Sequence, residues 1–300
     1  MIRSPVLRAV ALTIAAAFLL NIESAIVKLL GHAVPVAMIV AARAVAQIVW
    51  VAPTLARHGR RPFRTAKPWL HVLRGLLSVA SWGAYYYAFQ ELPMATATVL
   101  SFTSIMWTTA LAPLVLGEKV GWRRWSATLV GFAGVLLILR PMPADGGTLP
   151  LTLATFAALG SAIGGAGIVL TTKKLAATES TETIMLYIGL VTTAVALPVA
   201  VLDWAWLPPL HFLALLVMAA LGVTGMYFWI TALRLADASL LSPVNYIRLV
   251  FATILGMALF QESPDAATMA GAALIVASAI YITRREAALA RQARAEAREA

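Results

Sequence analysis

Apolar residues along this chain gather in blocks of roughly 18–25, the length that crosses about 30 Å of hydrocarbon as a helix. Ten such blocks fall at roughly 8–29, 37–56, 71–90, 95–116, 124–140, 150–171, 183–202, 210–233, 239–260 and 267–283. The connections between them are short, so no water-soluble domain is inserted. Pro35, Pro93, Pro141, Pro150 and Pro264 lie at or near block ends, where a missing N–H costs a helix least. The fold class predicted is an all-α integral membrane protein with ten transmembrane helices. The first block, Ala9 to Leu30, follows Arg3 and Arg8 as a signal peptide would, but it is too long for an h-region and counts as the first span.

Two stretches repeat each other, Ala88 to Arg140 and Ala232 to Arg285. Ala88 aligns with Ala232, Ser101 with Asn245, Thr109 with Thr253 and Glu118 with Glu262, at a constant offset of 144. An offset near half the chain length marks two tandem repeats. The predicted units are residues 1–145 and 146–285, each with five spans, followed by a basic tail at 286–300.

Composition and charge agree with a membrane location. The chain is 61% hydrophobic and 12% charged, against about 45–50% apolar and about 25% charged for soluble domains. The net charge of +10 would suggest nucleic acid in a soluble protein. Here the Lys and Arg cluster at block ends, where they face lipid headgroups. Membrane lipids are therefore the expected macromolecular surroundings and nucleic acid is not expected. No cysteine is present, so there is no disulfide framework or thiolate metal site. His32, His58, His71 and His211 sit at block ends or in connections, which predicts no metal centre. No Gly-rich phosphate loop with a Lys is found. No cofactor and no enzymatic activity are expected.

Basic residues favour one side at alternate connections. Arg57, Arg64, Lys67, Arg123, Lys173, Lys174 and Arg234 share that side with Arg3, Arg8 and the tail, which places both termini in the cytoplasm. Five spans per half, an odd number, make the two halves enter the membrane from opposite sides. Inverted repeats of this kind are the architecture of many secondary transporters, which alternate access around a midplane site. A channel or a membrane enzyme has less need of it.

The repeated segments carry a family resemblance. Leu92-Pro-Met-Ala-Thr-Ala-Thr-Val-Leu leads through Pro113-Leu-Val-Leu-Gly-Glu118 to Gly131-Phe-Ala-Gly-Val. Its counterpart runs from Leu235-Ala-Asp-Ala-Ser-Leu-Leu-Ser-Pro243 through Leu255-Gly-Met-Ala-Leu-Phe-Gln-Glu262 to Gly271-Ala-Ala-Leu-Ile. In these residues the chain resembles the EamA-type family of the drug/metabolite transporter superfamily, and within it the bacterial aromatic amino acid exporters. The resemblance implies a basket of helices around a central cavity formed by the inner spans of both halves. It also implies transport of a small metabolite. One departure is Gln261, which precedes Glu262 where the family has Gly.

Charges inside hydrocarbon are costly, so Glu23, Lys28, Arg43 and Arg248 are functional candidates by position. Lys28 lies near a span end and can snorkel. Glu23 and Arg43 lie at matched depths, roughly 9–10 Å in at 1.5 Å per residue. An ion pair between them either locks spans one and two or serves gating and coupling. Arg248 lies near the bilayer centre with Asn245 on its face. It is suited to a substrate carboxylate, or else to hydrogen bonding within the bundle. Ser101, Ser104 and Thr108 form the equivalent polar face of span four. Tyr85, Trp229, Trp107 and Tyr246 are either packing residues or the walls of a cavity for flat or apolar solutes.

The predicted substrate-binding set is thus Arg248, Asn245, Tyr246, Ser101, Ser104, Trp107, Tyr85 and Trp229, with Glu23 and Arg43 for gating or coupling. Small residues such as Gly160 with Gly164 and Gly222 with Gly225 let backbones approach closely, within the bundle of a monomer or across a dimer. The functional reading is a bacterial inner-membrane exporter of small amphipathic metabolites, amino acids including aromatic ones. Its alternatives are organic anions, nucleobases or nucleosides and vitamins as cargo, or a membrane enzyme or lipid-group flippase subunit.

Overall fold

The computed structural model describes residues 5–59, 63–91, 94–118, 120–139 and 152–260, with isolated positions between 266 and 284. Its helices are α1 (Pro5–Leu30), α2 (Val36–His58), α3 (Pro68–Glu91), α4 (Met94–Leu116), α5 (Trp122–Leu139), α6 (Leu153–Ala176), α7 (Thr181–Leu202), α8 (Pro209–Leu235), α9 (Ala238–Val244) and α10 (Ile247–Phe260). No strand occurs among the described residues. Most of the predicted tenth span, Glu262, Arg140 and the tail 286–300 lie outside them.

Local sequence explains where helices begin. Thr152 and Ser180 have extended backbones, and their hydroxyls accept the N–H of Thr155 and Thr183, satisfying one orphan donor at the starts of α6 and α7. Pro35 and Pro208 precede α2 and α8. Within the membrane the backbone must satisfy its own hydrogen bonds, so continuous apolar blocks become helices. Among the described residues, α1, α2, α6, α7 and α8 are each long and apolar enough to cross a bilayer. The chain is an all-α, multi-pass membrane protein.

The predicted ninth span is one continuous block in the sequence but two helices in the structure. α9 ends at Val244, Asn245 and Tyr246 form a turn, and α10 begins at Ile247. Backbone bonds there tighten to three residues, Arg248 N–H to the Asn245 carbonyl and Leu249 N–H to that of Tyr246. Such a discontinuity is tolerated at membrane depth only where protein or a cavity surrounds it.

The two halves interlock in symmetric pairs. α1 packs along α8 and α6 along α3; α2 meets α7; α3 touches α7 as α8 touches α2. Exchanging the halves maps each of these contacts onto its mate. Missing side chains bring the paired helices close: a Cβ on Gly225 would lie 3.0 Å from Leu20 in α1, and one on Gly164 would lie 3.1 Å from Ser81 in α3. Gly164, Gly222 and Gly225 thus serve packing within the bundle, whereas Gly160 has nothing within 4 Å of its Cβ position.

Candidate functional site

The buried polar centre is built where α1, α2 and α3 meet α8. Glu23 and Arg43 pair there, Arg43 Nε to Glu23 Oε1 at 3.1 Å. Tyr86 donates its hydroxyl to the same carboxylate oxygen at 3.2 Å and accepts from Arg43 Nη1 at 3.5 Å. The Arg43 guanidinium also lies 4.0 Å over the Trp82 ring, a cation–π contact strengthened by the lack of water. α8 makes room for this group with a glycine. A Cβ on Gly222 would stand 2.5 Å from Glu23 Oε1, so any larger residue would push the carboxylate away.

Sequence reasoning missed a second buried cation. Arg74 is fully enclosed, with Nε donating to Thr172 Oγ1 of α6 at 2.6 Å, Nη1 to Ser78 Oγ, and Nη2 approaching Met226 Sδ of α8 at 3.9 Å. A span read as starting at residue 71 leaves Arg74 looking like an end charge. Its signal is the four-residue step from Arg74 to Ser78, Trp82 and Tyr86, which puts all four on one stripe of α3. Gln47 was missed too. It is fully buried one turn from Arg43, and neither amide atom has a hydrogen-bond partner among the described residues.

The predicted site residues do not all converge. Arg248 opens α10 just after the break, close enough for its charge to act on Glu23, and its buried Nε has no hydrogen-bond partner among the described residues. Asn245 is half-buried in the break itself. Tyr85 stacks edge-on against Tyr86 at 5.5 Å and lies near Arg43. Trp229 is buried in the core. Tyr246 instead turns toward α5, donating to the Thr128 carbonyl at 3.2 Å. Ser104 faces α6, 3.5 Å from where a Cβ on Gly165 would be, and Ser101 is half-buried. Trp107 is 45% exposed, on the outside of the helix bundle.

Hydrogen bonds pin the helices together at one end of the bundle. Lys173 Nζ donates to the carbonyls of Leu233 and Ala236 at 2.8 and 2.6 Å, closing the last turn of α8. Glu118 accepts the backbone N–H of Ala238 at 3.0 Å, so the duplicated Glu caps the first turn of α9 in the opposite half. Its repeat mate Glu262 lies outside the described residues. At the same end Thr65 donates to Glu179 at 2.8 Å and Tyr187 to the Phe63 carbonyl at 2.9 Å, with His71 stacked on Tyr187. A separate apolar cleft of about 750 Å³ lies between α2, α7 and α8, lined by Val49, Trp50, Phe212 and Leu216 among others. These are exposed side chains, so the cleft faces outward, on the lipid side of the bundle.

Comparison with known proteins then decides the family. The model of the EamA-like transporter family matches residues 7–140 and again 152–284. The chain belongs to that family. Among relatives of this EamA-family chain is an S-adenosylmethionine uptake transporter of Rickettsia prowazekii, 32% identical over 77% of this chain and 76% of the relative. A riboflavin transporter of Vibrio cholerae is 33% identical over 82% of each chain. A pseudopaline exporter of Pseudomonas aeruginosa is 28% identical over 92% of this chain and 95% of its own. A solved crystal structure covering 92% of this chain and 98% of its own has a TM-score of 0.76 at 21% identity, a likeness of fold. The protein is thus a transporter of small molecules, not an enzyme. The names of these three relatives differ in cargo and direction, and none of them names an aromatic amino acid exporter.

Proposed function

We propose that this chain moves small amphipathic metabolites bearing a carboxylate, amino acids including aromatic ones, out of a bacterial cytoplasm by alternating access. The observation that carries this reading is Arg248. It sits at the break between α9 and α10, its Nε buried without a hydrogen-bond partner among the described residues. Glu23, the carboxylate within reach, is already paired with Arg43. A guanidinium so placed suits a substrate carboxylate, by charge-assisted and bidentate hydrogen bonds.

Both termini are assigned to the cytoplasm, which makes the pinned end the cytoplasmic one and this conformation closed there. Glu23, Arg43 and Tyr86 then form the gating group, locked while the halves are packed and rearranged when they rock apart. The relatives' names support a second cargo, a nucleoside-like or flavin-like solute. S-adenosylmethionine satisfies both readings, since it is an amino acid joined to adenosine.

The test is flux into proteoliposomes of labelled tyrosine, leucine, S-adenosylmethionine and riboflavin, with wild type, Arg248→Ala and empty vesicles compared. Saturable flux of the three carboxylate-bearing solutes, lost in Arg248→Ala, is the expected result. Flux of riboflavin alone, or flux unchanged by the substitution, would overturn the carboxylate role. Because the chain has no cysteine, orientation is read by single substitutions at exposed tryptophans. Trp206→Cys should react with an impermeant maleimide in intact cells, and Trp69→Cys only after lysis.

A further inference from the structure

The buried stripe of α3 ends in a cation that has no counter-ion among the described residues. Arg74 is wholly enclosed, and among the described residues no carboxylate pairs with it. Its contacts are two hydroxyls and a thioether, and the charge of another cation, Arg43, acts on it. An ionised group in such a place is expensive unless something opposite in charge joins it. The balance around it is one-sided. Arg43 and Arg248 both act on Glu23, and Arg43 already holds that acid, so Glu23 is not spare for Arg74.

The partners of Arg74 come from α3, α6 and α8, so the guanidinium lies in the seam between the two halves. Its thioether neighbour Met226 is the repeat counterpart of Trp82, at the same offset of 144, and Trp82 is the ring under Arg43. Equivalent positions of α3 and α8 therefore each support one arginine. Arg74 and Trp82 are eight residues apart, roughly 12 Å along the helix, with Ser78 between and Tyr86 one turn beyond. The stripe is polar and cationic at one end, aromatic in the middle, and closed by the Glu23–Arg43 pair.

We propose that this stripe is a substrate track and that Arg74 is its anion-binding residue, so the cargo carries a carboxylate or a phosphate. The proposal rests on the transport reading above and adds to it a second anion site, distinct from Arg248. When the halves part along the seam, the neutral partners of Arg74 separate and its fork of donors meets the cargo's anionic group. Trp82 and Tyr86 then face the remainder of the molecule. A purely structural Arg74 would tie α3 to α6 and α8 and show no preference among ligands.

The test uses purified full-length protein in detergent and two pairs of probes that differ only in an anionic group. S-adenosylmethionine is compared with its decarboxylated form, and riboflavin monophosphate with riboflavin. Wild type should bind the anionic member of at least one pair about ten-fold more tightly, as one added charge-assisted contact allows. Preference within the first pair assigns a carboxylate, and within the second a phosphate. Arg74→Gln should cut that ratio several-fold, leaving for a carboxylate only the share that Arg248 supplies, while Arg74→Lys should keep more of it. A wild-type ratio near one for both pairs, with binding observed, would overturn the proposal. So would a ratio undiminished in Arg74→Gln.

If Arg74→Gln does not fold, Arg74→Lys decides, since an undiminished ratio there counts against a fork-shaped anion site. Should wild type bind none of the four probes, these solutes are not its cargo and the anion site is judged alone. Phosphate and acetate must then raise the unfolding temperature of wild type more than that of Arg74→Lys, and equal shifts would sink it.

Discussion

Arg43 and Arg74 are the same residue type, both almost fully enclosed and on adjacent helices, yet their surroundings differ in kind. Arg43 faces Glu23 at 3.1 Å, with Tyr86 and the Trp82 ring completing its shell. Arg74 faces Thr172, Ser78 and Met226, none of which bears a charge. A buried cation with its own carboxylate is a closed unit, costly to break and with little to offer a ligand. A buried cation held by neutral dipoles keeps its net charge and can still gain by meeting an anion. The difference separates a lock from a binding group within one bundle, and sequence depth alone does not reveal it.

The largest expected effect bears on the lock. Glu23→Ala leaves Arg43 enclosed without its counter-ion and should lower stability by about 3–5 kcal/mol, read as a fall in the unfolding temperature of detergent-purified protein. Replacing both members by leucine should recover most of that loss. A Glu23→Ala protein as stable as wild type would erase the distinction between the two arginines. Thr172→Val removes one neutral partner of Arg74 and should cost about 1.5–3 kcal/mol, the range for hydrogen bonds to charged groups. A loss equal to that of Glu23→Ala would mean that Arg74 is locked as firmly as Arg43.

Gly222→Ala places a Cβ 2.5 Å from Glu23 Oε1 and should cost about 1–3 kcal/mol by overpacking. Gly160→Ala, which meets nothing within 4 Å, is its control and should be neutral or slightly stabilising. An equal effect at both glycines would show that helix backbone, not the carboxylate's space, sets the cost. The smallest effect is expected at Trp107, whose side chain is 45% exposed. Trp107→Ala should change stability by no more than about 0.5 kcal/mol and leave transport intact. A clear loss of flux there would return Trp107 to the substrate path.

Much of the fold is legible in one dimension because hydrocarbon permits so few solutions. Blocks of apolar residues long enough to span must be helices, and the offset of 144 links Tyr85 with Trp229 and Trp82 with Met226 without any coordinates. The depth match of Glu23 and Arg43 was readable for the same reason, since rise per residue is constant along a helix. Other features were not. The interruption of the ninth span at Asn245 and Tyr246 lies inside an unbroken apolar block, and depends on surrounding helices to satisfy its backbone. Tyr246 lies beside Arg248 in sequence but bonds to α5, because the turn at that point rotates it away from the centre. Arg74 was hidden by its nearness to a span end, where an arginine ordinarily snorkels to water.

What the chain determines by itself is therefore the membrane class, the duplication, the placement of the spans and the family. All of these rest on length, hydropathy and repetition, which are properties of sequence position alone. Tertiary structure decided which charges are paired, which aromatic rings turn inward, and that Glu118 caps a helix of the opposite half. Those outcomes depend on contacts between residues far apart in the chain. Whether a buried guanidinium meets a carboxylate or a hydroxyl is set by the rotation and approach of neighbouring helices. Here glycines such as Gly222 made that approach possible.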